Sequence, residues 1–309
     1  MTRPDDQTVT EAKLAAIRKQ ADRILREGGA YGRFPTPIDD IVAAAKLQIE
    51  REASLDVGYL TRMYRSVTGT IKKAVEKVWG LFHSGDRMIY LDRSVVKTKQ
   101  RFVSLHETGH GFLPWQKDLY ALMEDGESEL DPEIEEGFER EANVFASEVL
   151  FQLDTFQEEA RSCEFNINTP MKLATRYGAS NYAAIRRFVS KSQYCCAVFV
   201  LEPPVLEVGR GHTYRLRRCV PSSAFGTKYG NVAWPDVFYT NSNELAAKLP
   251  THFKRKMTKR CRIPSPVRGE TERFYLEAFN TTHHTFALVF PESELKAIKA
   301  GSIVLASSG

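Results

Sequence analysis

The residues of this chain with the most evident chemical use are His106-Glu107-Thr108-Gly109-His110. In an α-helix, side chains four positions apart share a face, so His106 and His110 could offer imidazoles to one metal ion. Glu107 stands about 100° round the helix from His106, near enough to reach a water on that ion without ligating it. Hydrolytic zinc sites keep one position for water, whose pKa falls towards about 7, and a carboxylate then takes its proton as general base. Phe102, Leu105 and Phe112 give the helix an apolar side to bury. Zinc is the expected ion for imidazole and carboxylate ligands, and manganese could occupy the same set.

Two imidazoles hold zinc weakly, so a third protein ligand is required. The segment downstream offers Glu133, Glu135, Glu136, Glu139 and Glu141. Glu139 shares its helical face with Ala142 and Ala146, small residues that let a second helix come close to the first, and it is the first choice. Glu135, one turn earlier on the same face, is the main competitor. Glu141 shares its face with Phe145 and Glu148, a mixture of bulk and charge that suits a ligand less well.

The elements that must position these groups follow from apolar spacing. Leu14, Ile17, Ala21, Ile24 and Leu25 predict a first helix closed by Gly28-Gly29. Ile38, Ile41, Val42 and Ala45 predict a second after Pro37, with Asp39 and Asp40 in its first turn. Val75, Val78, Leu81 and Phe82, then Met88 to Leu91, read as strands separated by Ser84-Gly85-Asp86. The metal-motif helix spans Lys97 to Leu113 and is ended by Pro114. The acidic stretch 118–132 is expected to be loop, and Glu133 to Phe156 one long helix. Residues 170–190 form a helix-turn-helix-like pair about Gly178, with Ser180 as N-cap. Beyond Lys191 the character changes: Cys195–Leu201, Thr213–Val220, Phe274–Phe279 and Thr285–Val289 read as strands, and only Asn243–Leu249 and Glu292–Ala300 as helices.

A length of 309 residues suggests two domains, and 42% hydrophobic with 27% charged residues is globular composition. The expected division is 1–190, mostly helical, and 191–309, strand-rich. No stretch is apolar enough for a transmembrane helix, and the first residues lack a signal-peptide core. Five cysteines, odd in number and without a Cys-x-x-Cys pair, imply reduced thiols in a cytosol. From Asp118 to Glu141 eleven acidic residues face one basic, and from Arg210 to Arg262 twelve basic face two acidic. Such runs could steer partners of opposite charge, although they ordinarily do no more than keep a surface wet.

Arg101-Phe-Val-Ser-Leu-His-Glu-Thr-Gly-His110, followed by Glu139-Arg-Glu-Ala-Asn-Val-Phe-Ala146, resembles the ImmA/IrrE (PprI) metallopeptidases. Leu173-Ala-Thr-Arg-Tyr-Gly-Ala-Ser180 is similar to the family's helix-turn-helix-like element, and Pro37, Asp40 and Ile41 to its opening, so the likeness covers roughly residues 10–190. The chain departs from the family at Thr108 and at Gly111-Phe112, which removes no ligand and no base. The resemblance implies a zincin-like α+β peptidase domain, with Glu139 the third ligand beside His106 and His110, and Glu107 the base. Radiation-response members carry a GAF-like C-terminal domain, one form that the smaller strand-rich α+β segment 191–309 could take.

The implied activity is a cytoplasmic, metal-dependent endopeptidase that cleaves or inactivates a helix-turn-helix repressor of the Xre type, releasing a stress or mobile-element response. The substrate could add as a strand beside Met88–Leu91. Tyr120, Tyr177 and Tyr182 are candidate oxyanion donors. The alternative is a DNA-binding or sensor-type regulator whose metal site is structural. For DNA, helix 181–190 offers Asn181, Arg186 and Arg187, but its many apolar residues favour packing. The run His252-Phe-Lys-Arg-Lys-Met-Thr-Lys-Arg-Cys-Arg262 is a further basic candidate, read more simply as a solvated surface. For a sensor, Cys195-Cys196 and His283-His284 are neighbours on strands, so each pair points to opposite faces and suits packing better than shared ligation.

Overall fold

The computed structural model describes residues 9–53, 55, 79–124, 132–251 and 257–299, a mixed α+β protein. The expected strand at Val75 and Val78, and residues 252–256 of the basic run, lie outside that set. The chain forms two compact units, one of Asp5–Phe156 with Thr175–Ser180, the other chiefly of Gln157–Ala174 with Asn181–Gly309.

In the first unit, α1 (Glu11–Glu27) starts at Thr10, whose hydroxyl accepts from the Lys13 amide, and buries Ile17, Ala21, Ile24 and Leu25. Helix α2 (Ile38–Ala44) follows Pro37 and buries Ile38, Ile41 and Val42. Strands β1 (Gln48–Ala53), β2 (Gly80–His83) and β3 (Met88–Asp92) make a sheet in the order β1-β3-β2, with β1 parallel and β2 antiparallel to β3. Met88–Leu91 is therefore the central strand, with both edges already paired, and cannot receive a substrate strand. Among the described residues β2 pairs with β3 alone.

Helix α3 (Lys97–Phe112) carries the His-Glu-x-x-His motif. Its end at Leu113 is followed directly by α4 (Pro114–Glu124), so residues 118–124, expected as loop, are helical. Pro114 stops one helix and opens the next because a proline at the first helical position loses no hydrogen bond. Helix α5 (Pro132–Leu150) carries the glutamates. It does not run on to Phe156: Gln152 and Leu153 adopt left-handed backbone (φ 50° and 57°) before α6 (Thr155–Arg161). The fully buried Gln152 side chain holds this break. It donates to Arg33 O at 2.9 Å and Thr36 Oγ1 at 3.2 Å, and accepts from the Gly32 amide at 2.9 Å.

The second unit carries most of α7 (Asn168–Tyr177), all of α8 (Asn181–Ser190) and a seven-stranded sheet. The strands are β4 (Ala197–Leu201), β5 (Val205–Glu207), β6 (Gly211–Pro221), β7 (Val237–Tyr239), β8 (Cys261–Ile263), β9 (Phe274–Asn280) and β10 (Thr285–Pro291). Their order is β5-β6-β4-β10-β9-β8 with β7 on β6, every pairing antiparallel. Phe199, Tyr214, Phe225, Phe238, Phe274 and Leu276 belong to one core. Helix α8 packs on β4 and β6 with Ile185 and Phe188 buried, and Arg186 and Arg187 are buried too (6% and 5% exposed), away from any base edge. The His284 ring takes Arg217 at 2.7 Å and stacks on Tyr182 and Phe286. The strands β5, β7 and β8 and the helix α9 (Ser223–Tyr229), unforeseen from the sequence, are too short to show a period. All five cysteines are free thiols. Among the described residues no helix is long and apolar enough to cross a membrane.

Gln152→Ala removes three hydrogen bonds, one to the buried Thr36 and two to the backbone of Gly32 and Arg33, while leaving the strained backbone in place. A net hydrogen bond contributes about 0.5–1.5 kcal/mol, so the variant should lose roughly 1–3 kcal/mol. Denaturant unfolding checks this, and an unchanged midpoint would show that the break is held elsewhere.

Candidate metal centre

Helix α3 sets His106 and His110 one turn apart, with their Nε2 atoms 3.1 Å from each other. Glu139 on α5 reaches both: one carboxylate oxygen is 3.2 Å from His106 Nε2, the other 3.4 Å from His110 Nε2. Ligand atoms of the three residues lie within 4.8 Å of one another, an arrangement that could hold a metal ion. Tetrahedral zinc, with bonds of about 2.0–2.2 Å, has ligand atoms about 3.3–3.6 Å apart, so the spacing and the N, N, O chemistry fit that ion.

The competing glutamates go elsewhere. Glu133, Glu135 and Glu136 are exposed on the first turns of α5, and Glu136 pairs with Arg140 at 2.5 Å. Glu141 is buried and turned towards Lys13, Trp115 and Gln116. Of the tyrosines, Tyr177 is fully buried among Phe34, Phe151 and Phe156 and offers nothing to the centre. Tyr182 lies in the second unit against His284, and the Tyr120 side chain is outside the described set.

Each imidazole is also held on its far side. His106 Nδ1 lies 3.2 Å from Asn143 Oδ1, and His110 Nδ1 lies 2.8 Å from Gln116 Oε1. Such outer contacts orient the ring and choose its tautomer. Asn143 is visible in the motif opened by Glu139. Gln116 carries no sequence signal, since it stands beyond Pro114 on another helix.

Glu107 is 9% exposed, and this burial raises its carboxyl pKa against the opposing pull of His106 and His110. The edge strand presses on it: a Cβ at Gly80 would stand 2.3 Å from Val103 Cγ1 and 3.1 Å from the Glu107 carboxylate. At His106 burial disfavours the cation, but the bond to Glu139 and that carboxylate's charge outweigh it, raising the pKa to about 9. At Glu139 burial favours the neutral acid, and the two histidines overcome it, holding the carboxyl well below its usual range. The half-exposed carboxylate is screened in part by water, which weakens this pull.

A mixed α+β fold with a buried helix-borne His/Glu/His set and a carboxylate from a second helix is the arrangement of a metallopeptidase-type domain. Residues 70–189 match the model of the peptidase M78 family, described as the IrrE N-terminal-like domain. A Mycobacterium tuberculosis transcriptional regulator has a similar fold at a TM-score of 0.52 and 10% identity, with 90% of this chain and 88% of that one covered. No curated protein matches the sequence.

The His106 shift fixes a pH dependence. A folded-state pKa raised from 6.5 to about 9 stabilises the metal-free protein fully below pH 6.5, and this stabilisation is lost as pH rises through about 9. Near neutral pH the site must give up that proton to bind zinc, so apparent affinity should climb between pH 6.5 and about 9 and then level. Calorimetric titration in buffers of different ionisation heat measures the proton released; pH-independent affinity across this window would contradict the assignment.

Proposed function

We propose that this chain is a zinc-dependent metalloendopeptidase of the cytoplasm, in which His106, His110 and Glu139 hold the ion and Glu107 is the general acid–base. The observation that carries the reading is the meeting of both imidazoles with Glu139 beside a buried carboxylate of raised pKa. Zinc suits this ligand set best, with manganese as the alternative. Bound there, the ion supplies Lewis acidity that makes water a better acid and polarises a peptide carbonyl.

The chain's own residues do the rest. Glu107 takes the proton as the water oxygen bonds to the carbonyl carbon, and delivers it to the amide nitrogen as the C–N bond breaks. Its raised pKa suits it to both halves of that transfer. The substrate lies extended beside β2, the strand whose Gly80 leaves no room for a side chain against Val103 and Glu107. The substrate class follows from the resemblance to ImmA/IrrE members: a helix-turn-helix repressor of the Xre type, whose cleavage or inactivation starts a stress or mobile-element response. The fold it shares with a transcriptional regulator is in keeping with a role in gene control.

Glu107→Gln should keep zinc and lose cleavage of such a repressor by roughly 10²–10⁴-fold, while His106→Ala should lose the metal. Metal content and cleavage, measured side by side with candidate repressors, decide between the outcomes. Cleavage that persists in Glu107→Gln at the wild-type rate would sink the assignment.

A further inference from the structure

We propose that Gln116 and Glu141 are positioning residues that commit His110 to metal binding through its Nε2 atom. The proposal rests on the metal-site reading above and assigns two side chains that the reading does not use. Gln116 is fully buried, and Glu141 is 6% exposed. The Gln116 amide nitrogen donates to Glu141 Oε2 at 2.8 Å and to Phe138 O at 3.2 Å. Turned over, the amide would set its oxygen against a carboxylate and a carbonyl, two acceptors facing a third. The carbonyl oxygen must therefore face His110, where it lies 2.8 Å from Nδ1.

An amide oxygen only accepts, so His110 must carry a proton on Nδ1. In the neutral ring the lone pair is then on Nε2, the atom that faces Glu139 and His106. Glu141 is anchored in its turn. Trp115 Nε1 donates to its Oε2 at 2.6 Å, and Lys13 Nζ lies 2.9 Å from Oε1 and 4.8 Å from the Trp115 ring centre. Helix α5 thus provides a ligand at Glu139 and, two residues on, the group that orients the ligand facing it. Lose the acceptor at 141, and only the longer bond to Phe138 O resists a turn of the Gln116 NH2 towards His110. That would favour the proton on Nε2, where it competes with the metal.

The test is zinc affinity of the full chain, measured by competition with a chromophoric chelator. Gln116→Leu and Glu141→Leu should each bind zinc roughly 10–100-fold more weakly. The double variant should be no weaker than the worse single one, because Glu141 acts through Gln116. Glu141→Gln should restore most of the affinity, since its amide oxygen can still accept from Gln116. A purely structural role would lower the melting temperature without this pattern. If Glu141→Leu does not fold, Gln116→Leu, close in size to the native residue, decides alone. Wild-type zinc uptake with unchanged affinity in Gln116→Leu, or losses that multiply in the double variant, overturns the relay. A wild-type chain that takes up no zinc overturns the metal centre along with it.

Discussion

Gly109 lies against α5, where a Cβ would stand 3.3 Å from the Ala142 Cα and 3.2 Å from the Phe145 ring, and this approach is what lets Glu139 span both imidazoles. A larger residue at 109 or 142 would move the helices apart, and Glu139, already at 3.2 and 3.4 Å from its two partners, would lose one of them. The sheet works from the other side of α3, pressing Gly80 onto Val103 and Glu107. The metal helix is thus gripped between α5 and β2, and small residues at both contacts bring backbone close to the reactive groups.

Such closeness has a cost, because the groups brought together are polar. A buried polar group without a partner is destabilising by an amount comparable to a whole hydrogen bond. Here His106 has Asn143 and Glu139, His110 has Gln116 and Glu139, and Glu141 has Trp115, Gln116 and Lys13. Glu107 is the exception in kind. Its burial is offset only in part by the two imidazoles and a backbone hydrogen bond from Phe82, so its proton is held more tightly than in water. A carboxylate left so while its neighbours are satisfied suits the acid–base role proposed for it.

The candidate centre is legible in the sequence because its residues obey a helical period. Histidines at i and i+4 share a face wherever the helix lies, and Ala142 and Ala146 mark the side of α5 able to come close. Periodicity shows which face is buried but not what it meets. It could not reveal that Met88–Leu91 is flanked by β1 and β2, since strand order depends on chain far away. Nor could it show Gln152 ending α5, because its partners at 32, 33 and 36 precede it by more than a hundred residues. Gln116 escaped for the same reason: its role comes from meeting Phe138 and Glu141 across two helices.

The same limit applies to dividing the chain by sequence. Residues Thr175–Ser180 belong with the metal unit although the chain on either side of them belongs to the other. Two contacts explain why. Arg101, one and a half turns before His106 on α3, donates to Gly178 O at 3.0 Å and to Thr36 O. Tyr177, with no exposed surface, fills a cage of Phe34, Phe151 and Phe156 just past the end of α5. The turn therefore touches the start of the helix that carries the histidines and the end of the helix that carries Glu139. A loop held by a half-buried guanidinium and a caged aromatic ring ties those two ends together, so the geometry of the candidate centre depends on residues some seventy positions from the motif that announces it.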